Sequence, residues 1–267
     1  MQKSIVYSDD LAALGIKIWV TTREFGNMRI KDLTAEQLLR SMGEIRETAR
    51  FNGKIISPIP GLSSSIFDAT NMDLDDSIVP YGQINRTKSF HDGAIVGRSL
   101  PHHGYLLANA DCPIGIIVGK EAGCTVAICI HLALQCIRGG IIAKAFELLK
   151  YYFDEVSAFY YGFGIGPEKY QFSLTHPKFG EKNKELKSWI EGLGITVPVS
   201  EENIPIDLFA ITEKIVRSYF SGPIIREANY PCTASAMENG EYLFYSNARC
   251  RGTNEALHRN AVLVTTL

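Results

Sequence analysis

The sequence predicts an α/β protein of the α+β kind, with mixed β-sheets packed against helices. Three observations predict it. Short apolar or β-branched runs recur between turn residues, and longer segments carry apolar residues at helical spacing. The two kinds interleave without the regular βαβ alternation of a doubly wound sheet.

Taken in order, Ile16–Thr21 reads as a strand. A helix follows, opened by a capping box of Thr34 and Gln37, with Leu38, Leu39, Met42 and Ile45 on one face. The stretch from Ser57 to Pro80 is rich in Pro, Ser, Asp and Asn and is expected to be a long irregular loop, a kind often functional in compact domains. Tyr105–Ala108, Ile114–Val118 and Thr125–Ile130 are strand-like runs punctuated by Asp111, Pro113 and Gly119-Lys120-Glu121. Ile141, Ile142, Ala145, Phe146, Leu148 and Leu149 then mark an amphipathic helix running to Tyr152. Phe159–Phe163 is a strand leading into Gly164-Ile165-Gly166-Pro167, and Asp207–Phe220 a further helix. Tyr242–Tyr245 and Ala261–Thr265 close the chain as strands. No repeat, low-complexity tract or segment with a second core interrupts this pattern, so residues 1–267 are expected to form a single domain.

Composition narrows the function. Hydrophobic residues at 46% and charged residues at 21% allow a sizeable core. The net charge of −2 and pI near 6.3, with scattered cations, exclude the electrostatic footprint of nucleic-acid or anionic-membrane binding. A small-molecule partner is expected instead. Near the N-terminus, Asp9 and Asp10 interrupt the chain before any apolar run reaches signal-peptide length, and runs such as Ile114–Val118 are too short to span a bilayer. The six cysteines form no C-x-x-C pair, which fits free thiols in a reducing cytoplasmic setting.

Three constellations could carry chemistry. Cys112, within Asn109-Ala110-Asp111-Cys112-Pro113, lies where one strand ends and the next begins. His131 ends the run Val126–Ile130, so neighbouring strands would bring thiol and imidazole to one edge. Such a pair serves as an activated nucleophile, as two of three protein ligands of a catalytic zinc, or simply as a buried cysteine beside a satisfied core histidine. The Gly164–Pro167 turn could present backbone N–H groups to an anion or be a tight turn only. Near the C-terminus, Cys232-Thr233, Ser246, Arg249 and Arg259 suit a phosphate or carboxylate, or an ordinary surface. P-loop, dinucleotide-binding, H-E-x-x-H and G-x-S-x-G motifs are absent. Six scattered histidines cannot build the clusters of a multicopper oxidase, so no copper is expected.

Taken together, these blocks resemble the motif series of the YfiH-like family, also called laccase-domain or polyphenol oxidase and associated with purine nucleoside phosphorolysis. Ala110-Asp111-Cys112 matches the family's "ADC", Ile165-Gly166-Pro167 its "IGP", Asp207-Leu208 its "DL" and Cys232-Thr233 its "CT". His131–Cys136 resembles "HAGWRG", Tyr245–Arg249 resembles "FSYRR", His258-Arg259 its closing "GR", and Thr21-Thr22-Arg23 with Gly26 its "STR-x-GG". The departures are Asn85 in place of the "QVHG" histidine, Leu134 and Gln135 in place of Trp and Arg, and Ala248 in place of the first arginine of "FSYRR".

The resemblance implies a fold like that of the cytotoxic-necrotizing-factor catalytic domain and the deamidase CheD. It also implies a transferase of the purine nucleoside phosphorylase type, acting on adenosine or inosine and extending to deamination. In that reading Cys112 and His131 are catalytic and the remaining zinc ligands, and Arg23, Arg249 and Asn85 bind substrate and phosphate. Zinc is weakened because an amide oxygen is a poor ligand beside imidazole or thiolate, with His91, His102 and His103 as substitutes. Two alternatives stay open: a metal-independent Cys–His amidohydrolase with Cys112 as nucleophile and His131 as base, and an inactive paralogue that binds a ligand or partner.

Overall fold

The computed structural model of the chain describes residues 5–68, 74–75, 84–97, 103–198, 202–227 and 232–266. In chain order the strands are β1 (Ile5–Ser8), β2 (Ile16–Thr21), β3 (Lys54–Ile59), β4 (Phe67–Asp68), β5 (Leu74–Asp75), β6 (Ile84–Phe90), β7 (Gly93–Val96), β8 (His103–Asn109), β9 (Ile114–Glu121), β10 (Cys124–His131), β11 (Glu155–Gly162), β12 (Gln171–Ser173), β13 (Asn203–Pro205), β14 (Ile224–Arg226), β15 (Met237–Glu238), β16 (Glu241–Tyr242) and β17 (Asn260–Thr266). The helices are α1 (Ala35–Ala49), α2 (Leu134–Arg138), α3 (Ile141–Tyr152), α4 (Gly180–Gly192) and α5 (Leu208–Arg217).

Two mixed sheets carry the fold. One runs β1-β2-β17-β8-β3-β6-β5, the other β14-β11-β9-β10-β7-β4. Alternation along the strands makes four layers of them, because successive side chains leave opposite faces. In the first sheet Ile16, Ile18, Val20, Tyr105, Leu107, Val262 and Val264 meet Ile114, Ile116, Ala127 and Cys129 of the second. Their neighbours Leu106, Ala261 and Leu263 face the other way, onto Leu38, Met42 and Ile45 of α1. On the far side of the second sheet, Ile117, Val126, Ile128 and Ile130 pack against Ile141, Ile142 and Ala145 of α3 and Phe209 and Ile211 of α5. The order is helix, sheet, sheet, helix.

Sequence pattern and structure agree where local physics decides. β2 and α3 have the expected bounds. The capping box at α1 is complete: the Gln37 N–H donates to Thr34 Oγ1 at 3.2 Å, and the Thr34 N–H to Gln37 Oε1 at 2.9 Å. The expected loop from Ser57 to Pro80 needs correcting, since β3 extends to Ile59 and the short strands β4 and β5 lie within it. Pro58 is tolerated because the β3–β6 register shifts between Ser57 and Ile59, where no ladder donor is required. Of the expected strand Tyr242–Tyr245 only Tyr242 pairs, as the end of β16 in a hairpin with β15. Pattern alone does not single out α4, whose buried stripe of Gly180, Asn183, Leu186 and Ile190 is narrow. Among the described residues no helix is long and apolar enough to cross a membrane.

Candidate functional site

The chain passes from one sheet to the other through residues 110–113, between the end of β8 and the start of β9. Asp111 fastens that crossing. One carboxylate oxygen accepts from Thr233 Oγ1 at 3.0 Å and the other from the Ala248 N–H at 2.8 Å, while its carbonyl accepts from the Ile165 N–H at 2.8 Å. The Asn109 amide donates to the Cys112 carbonyl. Gly164 packs so tightly on Pro113 that a Cβ there would lie 2.3 Å from its ring, and the Gly166 N–H donates to Cys232 Sγ at 3.3 Å. The Gly164–Pro167 turn is thus a packing element that holds the cysteine loop.

β10 runs antiparallel to β9 with His131 opposite Ile114, and the Leu132 N–H donates to the Pro113 carbonyl at 2.9 Å. Cys112 and His131 therefore reach the same sheet edge, as their spacing suggests. Behind the histidine stands Asp92, which sequence reasoning missed. It is fully buried just before β7, which pairs with β10 through Gly93 and Ile130. A Cβ at Gly93 would lie 2.7 Å from the Cys129 carbonyl, so glycine permits the close approach. Asp92 Oδ1 meets His131 Nδ1 at 2.9 Å, and the Asp92 carbonyl accepts from the His131 N–H at 2.6 Å. Its Oδ2 accepts from the Ser63 N–H at 2.7 Å, Ser63 Oγ at 3.0 Å and the Gly61 N–H at 3.1 Å. An aspartate beside a bend, with no partner nearby in sequence, gives little signal for this role.

Electrostatics follow from that geometry. Burial works to raise the Asp92 carboxyl, but bonds from His131, Ser63 and Gly61 outweigh it and hold the pKa below the ordinary value. Burial works to lower the His131 pKa, yet Cys112 and Asp92 together hold it well above ordinary. An ionised Asp92 on Nδ1 keeps one ring proton there, so Nε2 is the nitrogen that gains or loses the second proton and must lose it to act as a base or metal ligand. That Nε2 is buried and makes no hydrogen bond of good geometry, while the Cys112 and Cys136 thiols lie close enough to act on the ring's charge.

Cys112 and His131 line a cavity of about 610 Å³, together with Asn109, Asp111, Tyr170, Arg29 and Arg259. Asp92, His131 and Cys136 bring ligand atoms within 4.8 Å of one another and could hold a metal ion. Both Asp92 oxygens already accept hydrogen bonds, however, and burial pushes the Cys136 thiol pKa up. The better-fitting donor is His131 Nε2, because a carboxylate on the opposite ring nitrogen is the usual support of a metal-ligating histidine. Cys112 is the second donor on the cavity side.

The expected convergence of Arg23 and Arg249 on this cleft is not found among the described residues. Arg23 holds Glu255 at 2.8 and 2.9 Å and lies over the Tyr245 ring. Arg249 donates to the carbonyls of Ala234 at 3.1 Å, Phe244 at 2.6 Å and Thr233 at 3.4 Å, with its guanidinium 3.9 Å from the Tyr242 ring centre. Its charge is spent on bare carbonyls that a folding chain must satisfy. Arg29 and Arg259 line the cavity instead, and only Arg259 belongs to a sequence motif. Arg29 pairs with Asp32 Oδ2 at 3.2 Å, and Arg259 donates through Nη1 to the carbonyls of Ala256 at 3.0 Å and His258 at 2.8 Å, while burial first, then Arg29, lowers the Arg259 pKa. The Asn85 backbone pairs with Ile56, next to the cavity-lining Ser57, while its side chain lies outside the described residues, as does His102. His103 opens β8, about 20 Å from Asn109 at the other end, and His91 Nδ1 is engaged by Ser65 Oγ at 2.7 Å. Neither lines the cavity as a third ligand.

No protein-family model and no curated protein matches the chain. Solved structures do. The hypothetical protein YfiH of Bacillus licheniformis is 14% identical with a TM-score of 0.72, covering 100% of this chain and 97% of its own. YlmD of Geobacillus stearothermophilus is 16% identical with a TM-score of 0.72, covering 100% and 98%. The Neisseria meningitidis protein NMB0706, described as family DUF152, is 15% identical with a TM-score of 0.69, covering 99% of each chain. Along its whole length, then, this chain has the mixed α+β fold of the YfiH-like proteins.

Proposed function

We propose that the protein is a divergent YfiH-like enzyme that cleaves purine nucleosides by phosphorolysis, with Cys112, His131 and Asp92 at the reacting end of the cavity. One observation carries the reading: an Asp92-anchored histidine offers an unpartnered Nε2 beside Cys112, in a cavity that also holds two arginines. In phosphorolysis a phosphate oxygen bonds to ribose C1′ as the C1′–nitrogen bond breaks, and the purine leaves with the bonding pair and takes up a proton. Arg29 and Arg259 would hold the phosphate, whose negative charge relieves the repulsion between them. Asp92 orients the imidazole. Zinc held by Cys112 and His131 would supply Lewis-acid stabilisation. Its affinity should be low, because Asn85 stands where the family has a third strong donor.

A second reading rests on the same Asp92–His131 bond. Nucleophile, base and orienting carboxylate are the parts of a thiol hydrolase. Cys112 sulfur would attack an amide carbon, ammonia would leave, and water would hydrolyse the thioester.

Incubating adenosine and inosine with the purified protein, with and without phosphate, separates these readings. Phosphate-dependent release of free base, lost in Cys112→Ala and His131→Ala, is expected. Absence of base release together with selective alkylation of Cys112 would favour the thiol enzyme. Inertness in both assays would favour a non-catalytic ligand-binding paralogue.

A further inference from the structure

A second cavity, of about 860 Å³, lies between α2, β12 and α4. Arg138, Lys182, Arg251 and His176 line it, and the described lining contains no Asp or Glu. All four are exposed, so in a chain with a net charge of −2 they make a local basic patch at this cavity. Phe172 and Phe179 give it aromatic walls. The cavity is the neighbour of the site already described. Tyr170, which lines the Cys112 cavity, precedes Gln171 of this one, and its ring meets that of Phe172, a wall of the second cavity, edge-on at 5.0 Å.

We propose that this second cavity binds the phosphate-bearing end of a nucleotide-like small molecule whose remainder lies toward Tyr170. The proposal rests on reading the Cys112 cavity as a nucleoside site and extends its ligand from nucleoside to nucleotide. An open cleft with clustered, exposed cations and aromatic walls suits a compact phosphate ester that enters from solvent. A nucleic-acid backbone would need a stripe of charge along the surface, whereas these four cations gather at one cavity.

A local reporter is built in. Trp189 is one of two tryptophans, and the Arg138 guanidinium lies 5.6 Å from its ring centre. The other, Trp19, sits on β2 of the first sheet. Titrations of the full chain with AMP, adenosine and inorganic phosphate, followed by Trp189 fluorescence and calorimetry, test the assignment. AMP should bind about tenfold or more tightly than adenosine, since each charge-assisted phosphate contact contributes that much. Arg251→Ala and Lys182→Ala are exposed substitutions that should keep the fold, weaken AMP by about tenfold each, and leave adenosine unchanged. Equal binding of AMP and adenosine, or AMP affinity unmoved by both substitutions, would overturn the proposal. So would inorganic phosphate binding as tightly as AMP, which would assign the cavity to the free ion. Assaying the wild type for base release alongside the titration keeps the two ideas apart: AMP binding without nucleoside turnover counts against the phosphorylase alone, and turnover without AMP preference against this inference alone.

Discussion

His131 and Arg249 are both polar residues singled out by family-like motifs, yet the structure uses them in opposite ways. His131 has one ring nitrogen locked by buried Asp92 and the other unpartnered at a cavity. Arg249 has its guanidinium committed to three backbone carbonyls and the face of Tyr242. A residue can serve chemistry only with the bonding capacity that folding leaves over. The first region leaves some, and the second keeps Arg249 occupied with the fold.

The sharpest way to break this contrast is to remove the anchor. Asp92→Ala should destabilise the protein by about 3–5 kcal/mol in denaturant unfolding, because it strips four hydrogen-bond donors of a buried acceptor. A cost below about 1 kcal/mol would show that Asp92 does not support the site.

Arg249→Ala should cost about 2–3 kcal/mol in the same measurement while leaving activity per folded molecule intact, since orphaned carbonyls are a stability matter. Arg259→Ala should do the reverse, raising the KM for phosphate about tenfold with the smaller loss of stability. Exchange of these two phenotypes would mean that the phosphate site lies at Arg249 after all.

The pH dependence of stability should have two arms. Asp92 titrates lower when folded, so its contribution is present above the unfolded value of about 3.9 and is lost as pH falls through the folded pKa. His131 titrates higher when folded, so its contribution is complete below about 6.5 and is lost as pH rises through the folded pKa. Urea midpoints across pH should show both arms in the wild type, and His131→Asn should remove the alkaline one.

The smallest expected effect on stability is at the cavity side. Asn85→His and Cys112→Ala should each shift stability by less than about 1 kcal/mol. By elemental analysis Asn85→His should raise zinc content towards one equivalent, and adding Cys112→Ala should lower it again. Zinc content unchanged by Asn85→His would remove β6 from the metal site.

How much of this was legible depends on the range of the interactions involved. β2, α1 with its capping box, α3 and the Cys112–His131 edge could be read because each follows from side-chain period, capping chemistry or strand punctuation within a few dozen residues. The β3 strand could not, because Pro58 argues against a strand until the register shift opposite β6 is seen. The narrow stripe of α4 is likewise ambiguous until β12 and the second sheet cover it.

By itself the sequence determined the mixed α+β class, the order of its clearest elements and the pair of residues at the centre of the site, since local pattern encodes them. Only the tertiary structure decided which polar groups stand behind and beside that pair. Asp92 reaches His131 from 39 positions away, and Asp111 reaches Thr233 from 122. Arg29 comes to Arg259 from the other end of the chain. Such partnerships depend on how two sheets stack and where the chain crosses between them. No spacing along the chain records that geometry, because long-range hydrogen bonds form only after apolar burial has fixed the layers.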